Sequence, residues 1–356
     1  MYKYRNFFYI TNVEEDKKVS LQYELNEMKE NHSIMTFTDA LKIVNKEIQS
    51  IDYPSNPSGL YEPIAYLLTL KGKKIRPVLT LLACDLYNGE VNEAINAALA
   101  WEIFHNFTLM HDDVMDKADL RRGQATVHKK WNENTAILSG DAMLILSYMY
   151  MAKSSSRNLN VLLELFSDTA AKICEGQQYD MEYEQRTFIS ETEYIEMIRL
   201  KTAVMLGACL KSGAIVAGAP ENDQQNLYDF GVLLGTAFQI KDDWLDVYGD
   251  SNMVGKKIGG DILCNKKTFL LVTALETAGK EDKEVLLYWL GNNKQPEEKI
   301  VAIRQLYDRL LIREKTQLTL QNYYNQAISV LKKVSVPATR KKALEAIAGD
   351  LIEREY

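Results

Sequence analysis

Apolar side chains recur every three or four positions along most of this chain. Phe37, Leu41, Val44, Ile48 and Ile51 form the first clear run, the spacing of a helix with one buried face. From about Val91 to Asp116 apolar residues fall on nearly every side, which predicts a central helix. Strand-like alternation is scarce. Between Pro77 and Pro220 there is no proline, and that interval is rich in Leu, Ala, Met and Glu, which favours helices. Pro54, Pro57 and Pro63, with Gly59, mark a loop-like stretch. Further breaks are expected near Asn88-Gly89, Ser154 to Asn158, Gly218 to Asn222, Gly249 to Gly260 and Gly291 to Pro296. The pattern predicts one large all-α domain over residues 35–356, built from roughly ten or more helices. Residues 1–34 read as a polar, loosely ordered extension, with Met35 as an alternative start.

Composition narrows the class. With 356 residues and 46% hydrophobic content the chain can bury a large core. Its net charge is −7, and it has no basic block suited to nucleic acid. Cys84, Cys174, Cys209 and Cys264 are widely spaced and form no CxxC pair, as in a reduced, cytoplasmic protein. No apolar run approaches the ~20 residues of a membrane span. The N-terminus, MYKYRNFFYITNVEEDKK, lacks the apolar centre of a signal peptide.

Two acidic clusters change the picture. LMHDDVMDKADLRRG places Asp112, Asp113 and Asp116 inside an apolar segment, and FQIKDDWLDVYGD repeats the spacing with Asp242, Asp243 and Asp246. Positions i and i+4 share one face of a helix, so Asp112 stacks with Asp116 and Asp242 with Asp246. Like charges so placed cost helix stability, and something positive must offset them. Composition alone would give a D-D-x-x-D match roughly 0.07 times in such a chain, so an acidic solvated face is a poor account of two. Neither cluster has EF-hand spacing. Mg²⁺ held by one or two carboxylates, with substrate phosphates completing its shell, fits both.

Basic residues answer the acid. Lys73, Lys74 and Arg76 precede Pro77, which suits the first turn of a helix and therefore a phosphate site. Arg121 and Arg122 follow the first cluster, Lys201-Thr202 lies in a helical stretch, and Lys256, Lys257, Lys266 and Lys267 follow the second. Each alone reads as surface; with two metal motifs they describe a cavity for two diphosphates. His105 lies two turns before Asp112 on the same face, which favours substrate contact over a core role. No nucleophilic triad, P-loop or dinucleotide fingerprint is present.

GKKIRP, EIFHNFTLMHDDVMDKADLRRG, LKTA, FQIKDDWLD and GKKIGGDILCNKKT, in that order from about residue 35 onward, resemble the trans-isoprenyl diphosphate synthases of the polyprenyl synthetase family. Lys71 stands where the family usually has the first of two glycines. The resemblance implies a homodimer of all-α subunits, each with a central cavity: the isoprenoid synthase fold. It implies that Lys73, Arg76, His105 and Arg122 bind isopentenyl diphosphate, and that Arg121, Lys201, Thr202, Gln239, Lys256 and Lys266 contact the allylic diphosphate. Asp112, Asp116 and Asp242 would be the main ligands of about three Mg²⁺, supported by Asp113, Asp243 and Asp246. The residues acting directly on the chemistry would be Asp112, Asp116, Arg121, Lys201, Asp242 and Lys256.

The family also sets product length four and five residues before the first aspartate, here at Thr108 and Phe107. One small and one aromatic residue there resemble enzymes making fifteen- or twenty-carbon products, with a lean to twenty. A class I terpene cyclase, a silent subunit of a heteromeric synthase and an acidic helical scaffold are the competing readings. The second D-D-x-x-D and the GKKIRP segment argue against the cyclase, and two intact aspartate motifs argue against the silent subunit; the scaffold would show no Mg²⁺-dependent binding of diphosphate analogues.

Overall fold

Helical periodicity carries through to the computed structural model, which describes residues 34–154, 157–249, 259–292 and 294–353. Sixteen α-helices occur among them. The first five are α1 (Phe37–Gln49), α2 (Ser58–Thr69), α3 (Ile75–Asp85), α4 (Val91–Met115) and α5 (Val127–Lys130). Next come α6 (Glu133–Ala152), α7 (Leu159–Glu184), α8 (Glu191–Ile198), α9 (Val204–Val216) and α10 (Glu221–Tyr248). The last six are α11 (Gly260–Leu263), α12 (Phe269–Thr277), α13 (Lys280–Gly291), α14 (Pro296–Arg309), α15 (Ile312–Lys333) and α16 (Ala338–Glu353). The only strands among the described residues, β1 (Leu120–Arg121) and β2 (Gln124–Ala125), form a small hairpin. The all-α fold expected from the periodicity is the one observed.

The core runs through α3, α4, α9 and α10. Helix α4 packs on α3 and α6, and α9 packs between α3 and α10. Trp101 of α4 is fully buried and donates its indole N–H to Ser212 of α9 at 2.9 Å, so its one polar atom is satisfied. Helix α4 spans the segment expected to be central, with Asp116 as its C-cap. A second, smaller core joins the end of α10 to α11 through α15 around Val247, Leu270, Leu286, Ile303 and Leu306.

Three sequence expectations need correction or lie out of view. Gly59 and Pro63 do not sit in a loop; both belong to α2. Proline at the sixth position removes only one hydrogen-bond donor near the helix start, and burial of Ile64, Leu67 and Leu68 offsets that loss. Helix α6 is, by length and composition, apolar enough to cross a membrane, although only a third of its apolar window is buried. Lys256 and Lys257, most of the Gly249 to Gly260 break, and the extension except Ile34 lie outside the described residues.

Candidate active site

Asp112 and Asp116 end α4 one turn apart, Asp112 partly buried and Asp116 exposed. Asp113 turns the other way. It is 2% exposed and accepts three hydrogen bonds from Arg121 of the hairpin, Nε to Oδ1 at 3.0 Å and to Oδ2 at 3.3 Å, and Nη2 to Oδ1 at 2.5 Å. The hairpin holds that geometry. Arg122 and Gly123, its two turn residues, both have positive φ, as tight hairpin turns require. Arg122 then reaches back to the turn before α3. A Cβ on Gly72 would lie 2.8 Å from the Arg122 guanidinium carbon, so any larger residue there would push the guanidinium aside.

The two adjacent lysines of that turn have separate fates. Lys73 is exposed. Lys74 adopts a left-handed conformation and buries its ammonium, which donates to the Leu68 carbonyl at 2.9 Å and pairs with Glu102 at 3.0 Å. Glu102 also accepts from Asn106. This buried pair fixes the start of α3, from which Arg76 donates to His105 Nε2 at 3.1 Å. Burial, then the charges of Arg76, Arg122, Arg121 and Lys74, push the His105 imidazole well below its ordinary range.

The opposite wall comes from α7, α8, α10 and the turn before α12. Arg199–Ala203 forms a π-helical turn that presents Lys201 and Thr202. A Cβ on Gly176 would lie 2.3 Å from the Lys201 backbone nitrogen, so glycine allows α7 to press against that turn. Lys201 pairs with Asp180 of α7 at 2.6 Å. Thr202 donates to Gln239, and Gln239 in turn donates to Asp243 at 3.4 Å. Asp243 is 3% exposed and also accepts from the Tyr194 hydroxyl and, at 2.8 Å, from the Phe269 backbone N–H. Burial raises its carboxyl to about 7, against the opposing pull of Lys266, Tyr194 and Phe269. Asp246 accepts from the Asp261 N–H at 3.0 Å and so caps α11.

Asp180, Lys201, Thr202, Gln239, Asp243 and Lys266 line one cleft of about 80 Å³. Both walls share one field. Burial opposes the charge on Lys266, yet Asp261, Asp243, Asp180 and Asp116 together hold its ammonium above the ordinary lysine range. Burial likewise raises Asp112, while Lys201 lowers it and Asp116 raises it further. Lys267 lines the same cleft with its side chain mostly buried.

Among the described residues, no group of three or more His, Cys, Asp or Glu side chains is placed to hold a metal ion unaided. Asp112 and Asp116 provide one carboxylate pair; Asp113 and Asp243 already serve Arg121, Tyr194 and Phe269. Phe107 packs against Phe104 and His111, with ring centroids 5.4 and 4.8 Å away, and His111 lies against Ile137 of α6. Thr108 donates back to the His105 carbonyl at 2.8 Å. Asp180, Glu102 and Tyr194 are the members that spacing along the chain did not mark; Lys74 was marked for phosphate but is committed to Glu102 and the Leu68 carbonyl.

The model of the polyprenyl synthetase family matches residues 57–308. A short chain isoprenyl diphosphate synthase of Methanothermobacter thermautotrophicus is 37% identical over 84% of this chain and 92% of its own length. A geranylgeranyl diphosphate synthase of Sulfolobus acidocaldarius is 35% identical, over 89% of this chain and 97% of its own. The crystal structure of a geranylgeranyl pyrophosphate synthase superposes with a TM-score of 0.86 at 40% identity, covering 90% of this chain and all of that one.

Proposed function

The chain belongs to the polyprenyl synthetase family, and on that premise we propose a Mg²⁺-dependent head-to-tail prenyltransferase. It joins an allylic diphosphate to isopentenyl diphosphate and makes a fifteen- or twenty-carbon trans-prenyl diphosphate, in keeping with relatives named as short-chain and geranylgeranyl synthases. The observation that carries this reading is the cleft in which Lys201, Thr202, Gln239 and Lys266 surround Asp243 of the second motif.

The residues divide the work. Lys201, Thr202, Gln239 and Lys266 line the cleft that would take the allylic diphosphate. Lys73, Arg76, His105 and Arg122 gather near the start of α3 and would take isopentenyl diphosphate; Arg121, fixed on Asp113, would contact the allylic diphosphate. Mg²⁺, held by Asp112, Asp116 and Asp242, would neutralise diphosphate charge. As the allylic carbon–oxygen bond breaks, the ammonium groups of Lys201 and Lys266 stabilise the charge gathering on the leaving pyrophosphate. The double bond of isopentenyl diphosphate then forms the new carbon–carbon bond, and the adjacent proton leaves to pyrophosphate, so no protein base is required.

The exposed apolar face of α6, including Leu138 and Ile145 at 61% and 63% exposure, supports a homodimer built on that helix. The free cysteines fit a reducing, cytoplasmic setting.

A product assay tests the reading. Purified protein with Mg²⁺ and labelled isopentenyl diphosphate is given five-, ten- or fifteen-carbon allylic primers in turn. A discrete prenyl product is expected; folded dimer with no product from any primer defeats the proposal. In the same assay Thr108→Phe should shorten the product by about one isoprene unit, through steric block of the growing chain. Unchanged length in that variant removes Thr108 from the cavity floor.

A further inference from the structure

The turn that delivers Lys266 is held from outside the cleft. Residues 259–268 join the second aspartate motif to α12, and their backbone is heavily bonded. Gly259 donates to the Asp246 carbonyl at 2.7 Å, and Lys266 donates to the Asp261 carbonyl at 2.9 Å. Just before Lys266, Asn265 takes a left-handed φ of 56°. Asparagine tolerates that region better than most residues but needs support to stay there. The support is its side chain, tied at both ends. Its amide nitrogen donates to the Leu290 carbonyl of α13 at 3.0 Å, and its amide oxygen accepts from the Lys299 ammonium of α14 at 2.6 Å.

Lys299 is fully buried. Burial costs its charged form and pulls its pKa below the ordinary lysine value. An apolar side chain of similar volume would avoid that cost but would leave the Asn265 amide oxygen without its donor. It does not line the diphosphate cleft, and the proposed chemistry does not use it.

We propose that Lys299 is a positioning residue: by gripping Asn265 it locks the left-handed turn that aims Lys266 at the leaving diphosphate. Helices α13 and α14, which line no part of the cleft, are thereby coupled to it. The proposal rests on the reading of that cleft as the allylic diphosphate site.

The test compares Lys299→Met, Asn265→Gly and the double variant with the wild-type chain, each substrate being varied at saturation of the other. Lys299→Met should raise KM for the allylic diphosphate about tenfold, the size of a misplaced charge-assisted contact. KM for isopentenyl diphosphate should change less than about twofold, and the melting temperature should fall by no more than a few degrees, since the Asn265 amide oxygen loses its Lys299 donor. Asn265→Gly keeps the turn accessible but unties it, so it should act in the same direction. The double variant should be no worse than the worse single one, since both break one link. An unchanged allylic KM in Lys299→Met overturns the proposal, as does a parallel rise in both KM values with a lower melting temperature. Should Lys299→Met not fold, Asn265→Gly decides by the same split. Wild-type protein that makes no prenyl product would instead sink the functional reading itself, a distinct result.

Discussion

His105 shows how much one hydrogen bond decides. The Arg76 guanidinium can only donate, so the imidazole Nε2 beside it must accept, and the proton sits on Nδ1. Burial and four neighbouring cations keep that ring neutral near pH 7. A glutamine can also accept from Arg76 and donate onward; an alanine can do neither. His105→Gln should therefore hold KM for isopentenyl diphosphate within about threefold, whereas His105→Ala should raise it about tenfold. Equal damage from both substitutions would show that the imidazole does something an amide cannot. The alignment of His105 with Asp112 was legible in the sequence because both lie on one helix. Lys74 with Glu102, Lys201 with Asp180 and Asp243 with Tyr194 were not, because each pair joins separate elements and spacing along the chain is silent about it. In Lys73-Lys74 two identical side chains diverge: the left-handed turn exposes one and buries the other.

At the scale of elements, the short helix α8 is held at its start by a capping box. Ser190 Oγ accepts from the Glu193 N–H at 3.2 Å, and the Glu193 carboxylate accepts from the Ser190 N–H at 2.8 Å. The helix matters because it carries Tyr194 to Asp243. Ser190→Ala should cost about 1 kcal/mol of stability in urea unfolding. The backbone bond from Ser190, then the bond from Arg186, pull the Glu193 carboxyl from 4.5 down to about 2. A folded pKa below the unfolded one means stability that is present above about pH 4.5 and lost as pH falls toward 2. The stability gap between wild type and Glu193→Gln should accordingly close over that interval; a gap that persists at pH 2 would mean the charge is not what Glu193 contributes. Long periodic helices such as α4 could be read from sequence. The π-helical turn could not, since Arg-Leu-Lys-Thr-Ala carries no signature and Gly176 of α7 reveals its purpose only once the two elements touch. Pro63 misled because local propensity says loop, and only the burial of its neighbours says helix.

For the whole molecule, the apolar face of α6 is the feature a single chain leaves unexplained. Leu138, Ile145 and Met149 fall on one side of the helix at spacings of seven and four, and all are more than half exposed. The buried set on the opposite side, Ala136, Ser139, Gly140, Met143, Ser147 and Met151, shows that the helix supplies two faces. A second copy packed on this face would bury it, and such self-complementary contacts are the commonest route to a symmetric dimer. Leu138→Glu combined with Ile145→Glu should convert the protein in sedimentation from the proposed dimer to the 40.7 kDa chain, since two buried carboxylates without partners would each cost several kcal/mol. The effect should reach the chemistry. His111 contacts the Ile137 carbonyl at 3.1 Å and meets Phe107 edge to face, so α6 is tied to the part of α4 where product length is expected to be set. The dissociated variant should therefore make a broader range of chain lengths than the dimer. A variant that sediments like wild type would clear α6 of any role in assembly, and a monomer with an unaltered product would mean that α4 holds the cavity floor without help from the helix beside it.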